Sequence, residues 1–198
     1  MTRVIGLTGN IASGKSSVTA ILRRHGLPVI DADAIVHELQ HPGTLVFRAI
    51  VSRFGDGILA KDGTIDRSRL RQQILNSDSD RHALEAIVHP AVFERRAALV
   101  RAAAEAGATV VVVDVPLLYE ADDARHYDAV ILVDAPRAER RRRLVEDRGL
   151  TPDEANRLLD LQLPADTKRA RADFVIDNDG SRAQLEQRTE RVLRQLAP

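Results

Sequence analysis

The sequence predicts an α/β protein in three layers: a five-stranded parallel sheet flanked by helices. Three observations carry that prediction. Five short apolar runs rich in β-branched residues alternate with longer segments of helical period, the pattern of a sheet covered on both faces. Four of the five runs end in Asp, which suits strands whose carboxyl ends emerge at a polar edge. Between the first run and the first helix lies a turn bounded by Gly9 and Gly14, where backbone N–H groups at a helix start can face an anion.

The elements follow in chain order. Val4-Ile5-Gly6-Leu7 is the first strand. After Gly14, Val18, Ile21 and Leu22 share one helix face, and Gly26 with Pro28 closes that helix. Pro28-Val29-Ile30-Asp31 is the second strand. Residues 32–109 then read as helical and Arg-rich, with turns at Phe54-Gly55-Asp56-Gly57 and Lys61-Asp62-Gly63. In that stretch His89-Pro90 interrupts a helical pattern running from Ser79 to Ala106, which predicts a kink or turn. Val110 to Asp114, with four consecutive Val, is the strongest strand and predicts burial on both faces. Ala129 to Asp134 and Phe174 to Asp177 complete the set. Thr151-Pro152-Asp153-Glu154 predicts an N-cap, a proline in the first turn and a capping-box Glu. Leu185, Thr189, Val192 and Leu196 mark the last helix at spacings of 4, 3 and 4. The long helical stretches read as insertions into one α/β core, too short to be separate domains.

Composition excludes several classes. The 198 residues carry 29 basic and 29 acidic side chains, so no overall charge draws the chain to nucleic acid or to an anionic membrane. Without Cys there is no disulfide framework, thiolate zinc site or iron–sulfur cluster. The longest apolar run, Val110 to Leu118, is broken by Asp114 and Pro116 and falls short of the roughly 18 residues of a membrane span. The N-terminal residues lack the apolar core of a secretory signal. The expectation is one cytoplasmic domain with no membrane and no nucleic-acid partner.

Gly9-Asn10-Ile11-Ala12-Ser13-Gly14-Lys15-Ser16 matches G-x-x-x-x-G-K-[ST] in full, with a strand before it and a helix after it. Average residue frequencies give this pattern by chance in about one chain in a hundred of this length. Gly9 and Gly14 let the backbone wrap a phosphate, Lys15 supplies a point charge, and the Ser16 hydroxyl can join a Mg²⁺ shell. Lys15 is one of only three lysines among the 29 basic residues, where a compact ammonium suits the cradle better than a guanidinium.

Other polar residues admit more than one role. Asp114 ends the strongest strand and can serve the metal side or cap the next turn. Asp33 can accept a proton from an attacking hydroxyl or act as the N-cap before Ala34-Ile35-Val36. The Arg run from Arg137 through Arg140-Arg141-Arg142-Arg143 to Arg148 can be an ion-paired helix face, a nucleic-acid patch or a lid bringing guanidinium groups to a phosphoryl group. No Asn-Lys dipeptide exists for guanine reading, and no Leu-Ser-Gly-Gly signature is present. A switch GTPase or transport ATPase is thereby disfavoured, and a small-molecule kinase fits.

Taken in order, the motifs resemble the dephospho-CoA kinase family over nearly the whole chain. They are Ile5-Gly6-Leu7-Thr8-Gly9 into the phosphate loop, Asp31-Ala32-Asp33 with His37, and Phe54-Gly55. Asp62-Gly63-Thr64-Ile65-Asp66-Arg67, Leu84-Glu85 with His89-Pro90, and Asp114-Val115-Pro116-Leu117-Leu118-Tyr119-Glu120 follow. Lys168 and Ala172 to Gly180 end the series. The resemblance implies a P-loop NTPase fold of the nucleoside-monophosphate-kinase kind and Mg²⁺-dependent transfer of the ATP γ-phosphate to the ribose 3′-hydroxyl of dephospho-CoA. It implies Asp33, Lys15 and Arg143 as catalytic residues, with Gly9, Ala12, Ser13, Gly14, Lys15, Ser16 and Ser17 on ATP. Asp33, His89 and Leu117 are implied on the acceptor, and Ser16 and Asp114 on Mg²⁺. Core segments of about 1–35, 105–138 and 166–198, an acceptor-binding helical insertion of about 60–100 and a lid of about 139–165 are also implied. The family usually has Gly at positions 10 and 12, so Asn10 and Ala12 predict loop angles suited to a Cβ. The family often has Arg then Asp where Asp147-Arg148 stands, which sets Arg148 apart. Another P-loop kinase, or a nucleotide-dependent RNA-binding protein using the Arg run, are the alternatives.

Overall fold

The computed structural model describes residues 2–196. The chain divides into two compact units, one of residues 1–30 with 102–198 and one of residues 31–101. The first unit is built on a five-stranded parallel sheet of β1 (Arg3–Gly9), β2 (Val29–Asp31), β3 (Val110–Asp114), β4 (Ala129–Asp134) and β5 (Phe174–Asp177), ordered β2-β3-β1-β4-β5. All five expected runs are strands. Leu7 pairs with Asp114 on one side of β1 and with Ile131 on the other. The central strands are buried along their length, as continuous Val and Ile runs require.

Helices α1 (Lys15–Arg24) and α9 (Arg182–Leu196) cover one sheet face. Val18, Ile21 and Leu22 from α1 and Leu185, Val192 and Leu196 from α9 share a core with Ile5, Leu7, Val112, Ile131 and Ile176. Thr189, fully buried in the apolar stripe of α9, satisfies its hydroxyl by donating to the Leu185 carbonyl at 2.8 Å. Helix α1 ends as its sequence predicts: Gly26 N–H reaches the Arg23 carbonyl and Leu27 N–H reaches that of Leu22, the paired bonds of a Schellman motif. On the other face, Leu118, Tyr119 and Val130 pack with Val115, Tyr127 and Leu163.

Helices α6 (Arg137–Glu146), α7 (Pro152–Asp160) and α8 (Ala165–Arg169) lie between β4 and β5. The capping box is formed as expected, with Thr151 Oγ1 accepting from Glu154 N–H and the Glu154 carboxylate accepting from Thr151 N–H. Leu144 of α6 and Ala155 and Leu159 of α7 are buried together, with Ile11 and Ala12 packed against them.

The second unit holds α2 (Ala32–Leu39), α3 (Leu45–Phe54), α4 (Arg67–Leu75) and most of α5 (Asp78–Glu105). Val46, Ile50, Phe54, Ile58, Leu70 and Val88 form its core. Lys61-Asp62-Gly63 is a turn, closed by the antiparallel bridge of Leu59 with Ile65. Of the kink or turn expected at His89-Pro90, the turn is absent, because α5 runs on through Pro90. Proline removes one helix N–H and strains one turn, and here it lies inside a helix of 28 residues whose Val88 is in the core of the unit.

Thr151→Ala removes one cap of α7 and is expected to cost about 1 kcal/mol, seen as a Tm lower by roughly 2–4 °C in thermal unfolding of a domain this size. An unchanged Tm would mean that the capping box contributes nothing in solution.

Candidate active site

β1 ends at Gly9, and the next five residues fold the chain back before α1 begins at Lys15. A bond from Ser13 N–H to the Asn10 carbonyl, 3.0 Å, closes the turn. Two backbone positions in the loop are left-handed, Gly14 at φ 93° and Ala12 at φ 59°. The expectation of angles suited to a Cβ holds at Asn10, whose φ is not positive, and fails at Ala12. An alanine in that region costs roughly 1–2 kcal/mol relative to right-handed backbone, so the loop is held there by outside contacts. They are identifiable: Arg143 Nη1 donates to the Ala12 carbonyl at 3.0 Å, and Gln162 Oε1 accepts from Ile11 N–H at 2.7 Å. Asn10 Nδ2 in turn donates to the Leu163 carbonyl at 3.3 Å.

Gly9 and Gly14 are both needed for close approach. A Cβ on Gly9 would lie 2.6 Å from the Val133 carbonyl oxygen, and one on Gly14 would lie 2.0 Å from Asn178 Nδ2. Asn178, just beyond β5, is the residue that sequence reasoning left out of the site. Its Nδ2 donates to the Ser13 carbonyl at 2.8 Å, and its own carbonyl accepts from Arg143 Nη2 at 3.1 Å. It stands in the Asp-Asn-Asp-Gly segment of the family resemblance, but 165 residues separate it from Ser13, and nothing local links the two. The first N–H groups of α1 have no side-chain cap, since Gly14 is the N-cap residue. Asn10 Oδ1 and Ser13 Oγ are buried without a hydrogen-bond partner.

Lys15 Nζ contacts Asp114 Oδ1, and Thr19 Oγ1 donates to Asp114 Oδ2 at 3.1 Å. Asp114 is buried at the end of β3, so its carboxylate is given to α1 and not to capping the next turn. Thr19, one turn along α1 from Lys15, was not foreseen. Ser16 and Ser17 are exposed at the start of α1. Ser16 and Asp114 offer hard oxygen donors, the chemistry Mg²⁺ takes when it retains waters and phosphate oxygens in its shell. No cluster of three or more His, Asp or Glu that could hold a metal exists among the described residues.

The Arg run separates into distinct roles. Arg142 is an exposed face residue, paired with Glu139 at 2.7 Å and Glu146 at 2.5 Å. Hydrogen bonds from Arg142, reinforced by Arg143, hold the Glu139 carboxyl down at about 2. Arg137 pairs with Asp160 at 2.9 Å, linking α6 to α7. Arg140 is buried, with Nε on the Ala135 carbonyl at 3.1 Å. Among the described residues of the run, Arg143 alone is hydrogen-bonded to the phosphate loop, and Arg148 is exposed. Nearby, Arg169 bridges Asp134 at 2.8 Å and Asp177 at 2.6 Å, tying the carboxyl ends of β4 and β5.

The first unit thus brings together Gly9, Ala12, Ser13, Gly14, Lys15, Ser16, Ser17, Asp114 and Arg143. Leu117 follows β3 and is 50 % exposed. Lys168 is fully buried and paired with Glu120 at 2.6 Å, so a second scarce lysine is structural. Asp33 and His89 belong to the second unit. Asp31, not Asp33, caps α2, its Oδ1 accepting from Ala34 N–H at 3.0 Å. Asp33 stands exposed in the first turn, its carboxylate without a hydrogen bond or ion pair among the described residues. His89 is exposed on α5 beside the buried Val88.

Known proteins match this arrangement over its full length. A protein named dephospho-CoA kinase from Symbiobacterium thermophilum is 48 % identical over 93 % of this chain and 79 % of its own. Another of that name from Geobacillus kaustophilus is 43 % identical over 98 % of this chain and 97 % of its own. The solved structure of dephospho-CoA kinase from Campylobacter jejuni superposes with a TM-score of 0.74 at 26 % identity, covering 99 % of this chain and 98 % of that one. The dephospho-CoA kinase family profile itself matches residues 3–184, from the first strand into the last helix. Phosphate loop, strand-end aspartate and full-length match agree, and the chain belongs to the dephospho-CoA kinase family of phosphotransferases.

Proposed function

We propose that the chain transfers the γ-phosphoryl group of ATP to the ribose 3′-hydroxyl of dephospho-CoA, giving CoA and ADP as the last step of coenzyme A synthesis. The observation that carries this reading is the Lys15–Asp114 contact at the mouth of a complete phosphate loop, in a chain of this family. The uncapped start of α1 and the unpartnered Ser13 Oγ offer donors to the ATP phosphates. Lys15 places a mobile ammonium on the β/γ-phosphates. The Ser16 hydroxyl and Asp114 would hold Mg²⁺, which would supply charge neutralisation for the transfer.

Arg143 fixes the loop through the Ala12 and Asn178 carbonyls and gives its Nε–H to Glu139 at 2.9 Å, which leaves one N–H on each Nη for the phosphates. Asp33, freed from capping by Asp31, accepts the proton of the 3′-hydroxyl as the new P–O bond forms and the β,γ-bridging bond breaks. The second unit, which contains residues 60–100, is the acceptor-binding part, with Asp33 and His89 on the acceptor. Residues 139–165 act as the lid, and Leu117 presents apolar surface to the acceptor. No described helix is long and apolar enough to cross a membrane; the cytoplasmic location is part of the proposal.

Asp33→Asn keeps shape and removes the base. Its kcat is expected to fall about 10²–10⁴-fold while ATP affinity stays within about threefold, checked by coupled ADP release and nucleotide titration. A near-normal kcat would remove Asp33 from the base role. Gly14→Ala forces a Cβ into left-handed backbone and onto Asn178. It is expected to weaken ATP binding at least tenfold by calorimetry, with acceptor binding retained. Unchanged ATP affinity would contradict the cradle.

A further inference from the structure

Lys168, in α8, has a fully buried side chain whose Nζ lies 2.6 Å from Glu120 Oε1. An ammonium carries three donors, yet this one makes no hydrogen bond among the described residues, so its contact with Glu120 is an ion pair alone. Such a pair adds little net stability over apolar side chains of similar volume, because desolvation offsets attraction. Its place in the fold is better explained by what the carboxylate holds.

The same Glu120 Oε1 accepts from Leu163 N–H at 3.2 Å. Leu163 packs against Leu118, Tyr119 and Val130, and its carbonyl accepts from Asn10 Nδ2 at 3.3 Å. One residue earlier, Gln162 Oε1 accepts from Ile11 N–H at 2.7 Å. Asn10 and Ile11 are the first two residues of the phosphate loop after Gly9. Lys168 holds the other end of this segment too, its N–H donating to the Pro164 carbonyl at 3.3 Å. Residues 162–164 are therefore fastened to Glu120 and Lys168 on one side and to the phosphate loop on the other.

We propose that Glu120 and Lys168 are positioning residues for ATP binding, setting the 162–163 peptide and, through it, the shape of the phosphate loop at Asn10 and Ile11. The inference rests on the reading of that loop as the ATP cradle. The two charges have separate tasks. The Glu120 side chain is 21 % exposed and that of Lys168 is 0 % exposed, so the carboxylate is the half with a path to water. Without the ammonium it gains hydration by turning outward, and Leu163 N–H loses its acceptor. Lys168 keeps the oxygen inside, and the oxygen orients the peptide whose carbonyl meets Asn10. Neither side chain bonds to the loop among the described residues, and both act through Leu163.

The test is calorimetric titration of ATP with Mg²⁺, and ADP release in parallel, on one single and two double variants. Lys168→Met is expected to raise Kd and KM for ATP at least about fivefold while KM for dephospho-CoA stays within about twofold. Adding Glu120→Gln returns a neutral oxygen to Leu163 N–H and should bring the ATP Kd back to within about twofold of wild type. Adding Glu120→Leu instead removes the charge equally but supplies no acceptor, and the loss should remain. Equal ATP Kd in the two double variants overturns the proposal, as does a KM for dephospho-CoA that rises in step with that for ATP. A double variant without a cooperative thermal transition also overturns it, since the pair would then be a requirement of folding and not of positioning. Wild type that fails to bind ATP overturns the cradle reading itself. Wild type that binds ATP without dephospho-CoA-dependent ADP release contradicts only the acceptor, and the ATP titrations still decide the positioning role.

Discussion

The contact between Lys15 and Asp114 joins the two ends of the chemistry, and the sheet exists in the form that permits it. Parallel pairing sets Leu7 opposite Asp114, so β3 stops two residues before β1 reaches Gly9 and its last carboxylate sits beneath the start of α1. A strand slipped by one residue would turn Asp114 to the other face. Nearly buried ion pairs of this kind add little net stability, because desolvation offsets attraction. The pair therefore makes more sense as a positional device. It holds a flexible lysine at the phosphate mouth, with Thr19 fixing the carboxylate from behind.

The loop itself depends on parts far away in the chain. Ala12 occupies a backbone region that alanine avoids, and Arg143, Gln162 and Asn178 all bond to the loop's backbone. Arg143 and Gln162 come from the α6–α7 segment and its exit, so that segment and the phosphate loop are bonded and packed together. The apolar seam of Leu144, Ala155 and Leu159 against Ile11 and Ala12 adds packing to those bonds. Changes in the α6–α7 segment would be felt as changes in loop geometry.

What was legible in the sequence was what local pattern encodes. The Val110–Asp114 run, the capping box at Thr151, the stripe of α9 and the full phosphate-loop motif each carry their information within a few residues. The Gly-to-Asn and Gly-to-Ala changes at positions 10 and 12 were visible, but their outcome was not. Local propensity argues against a left-handed Ala12, and only the distant Arg143 and Gln162 explain it. Pro90 carries a local signal for a kink or turn, and α5 runs on through it without a turn. Asp33 reads in the sequence as either base or cap; Asp31 takes the cap, and the base role of Asp33 stands as a proposal. The uneven use of lysine proved informative at Lys15 and differently so at Lys168, which is buried against Glu120.

The central claim is that this cradle delivers a phosphoryl group to one hydroxyl of one acceptor. The most direct measurement is ³¹P NMR of the product formed from ATP, Mg²⁺ and dephospho-CoA. The account predicts a new phosphomonoester resonance whose coupling places it on the ribose 3′ carbon, growing in step with ADP. ADP formed without that resonance, or a phosphomonoester on the 2′ carbon, would contradict it.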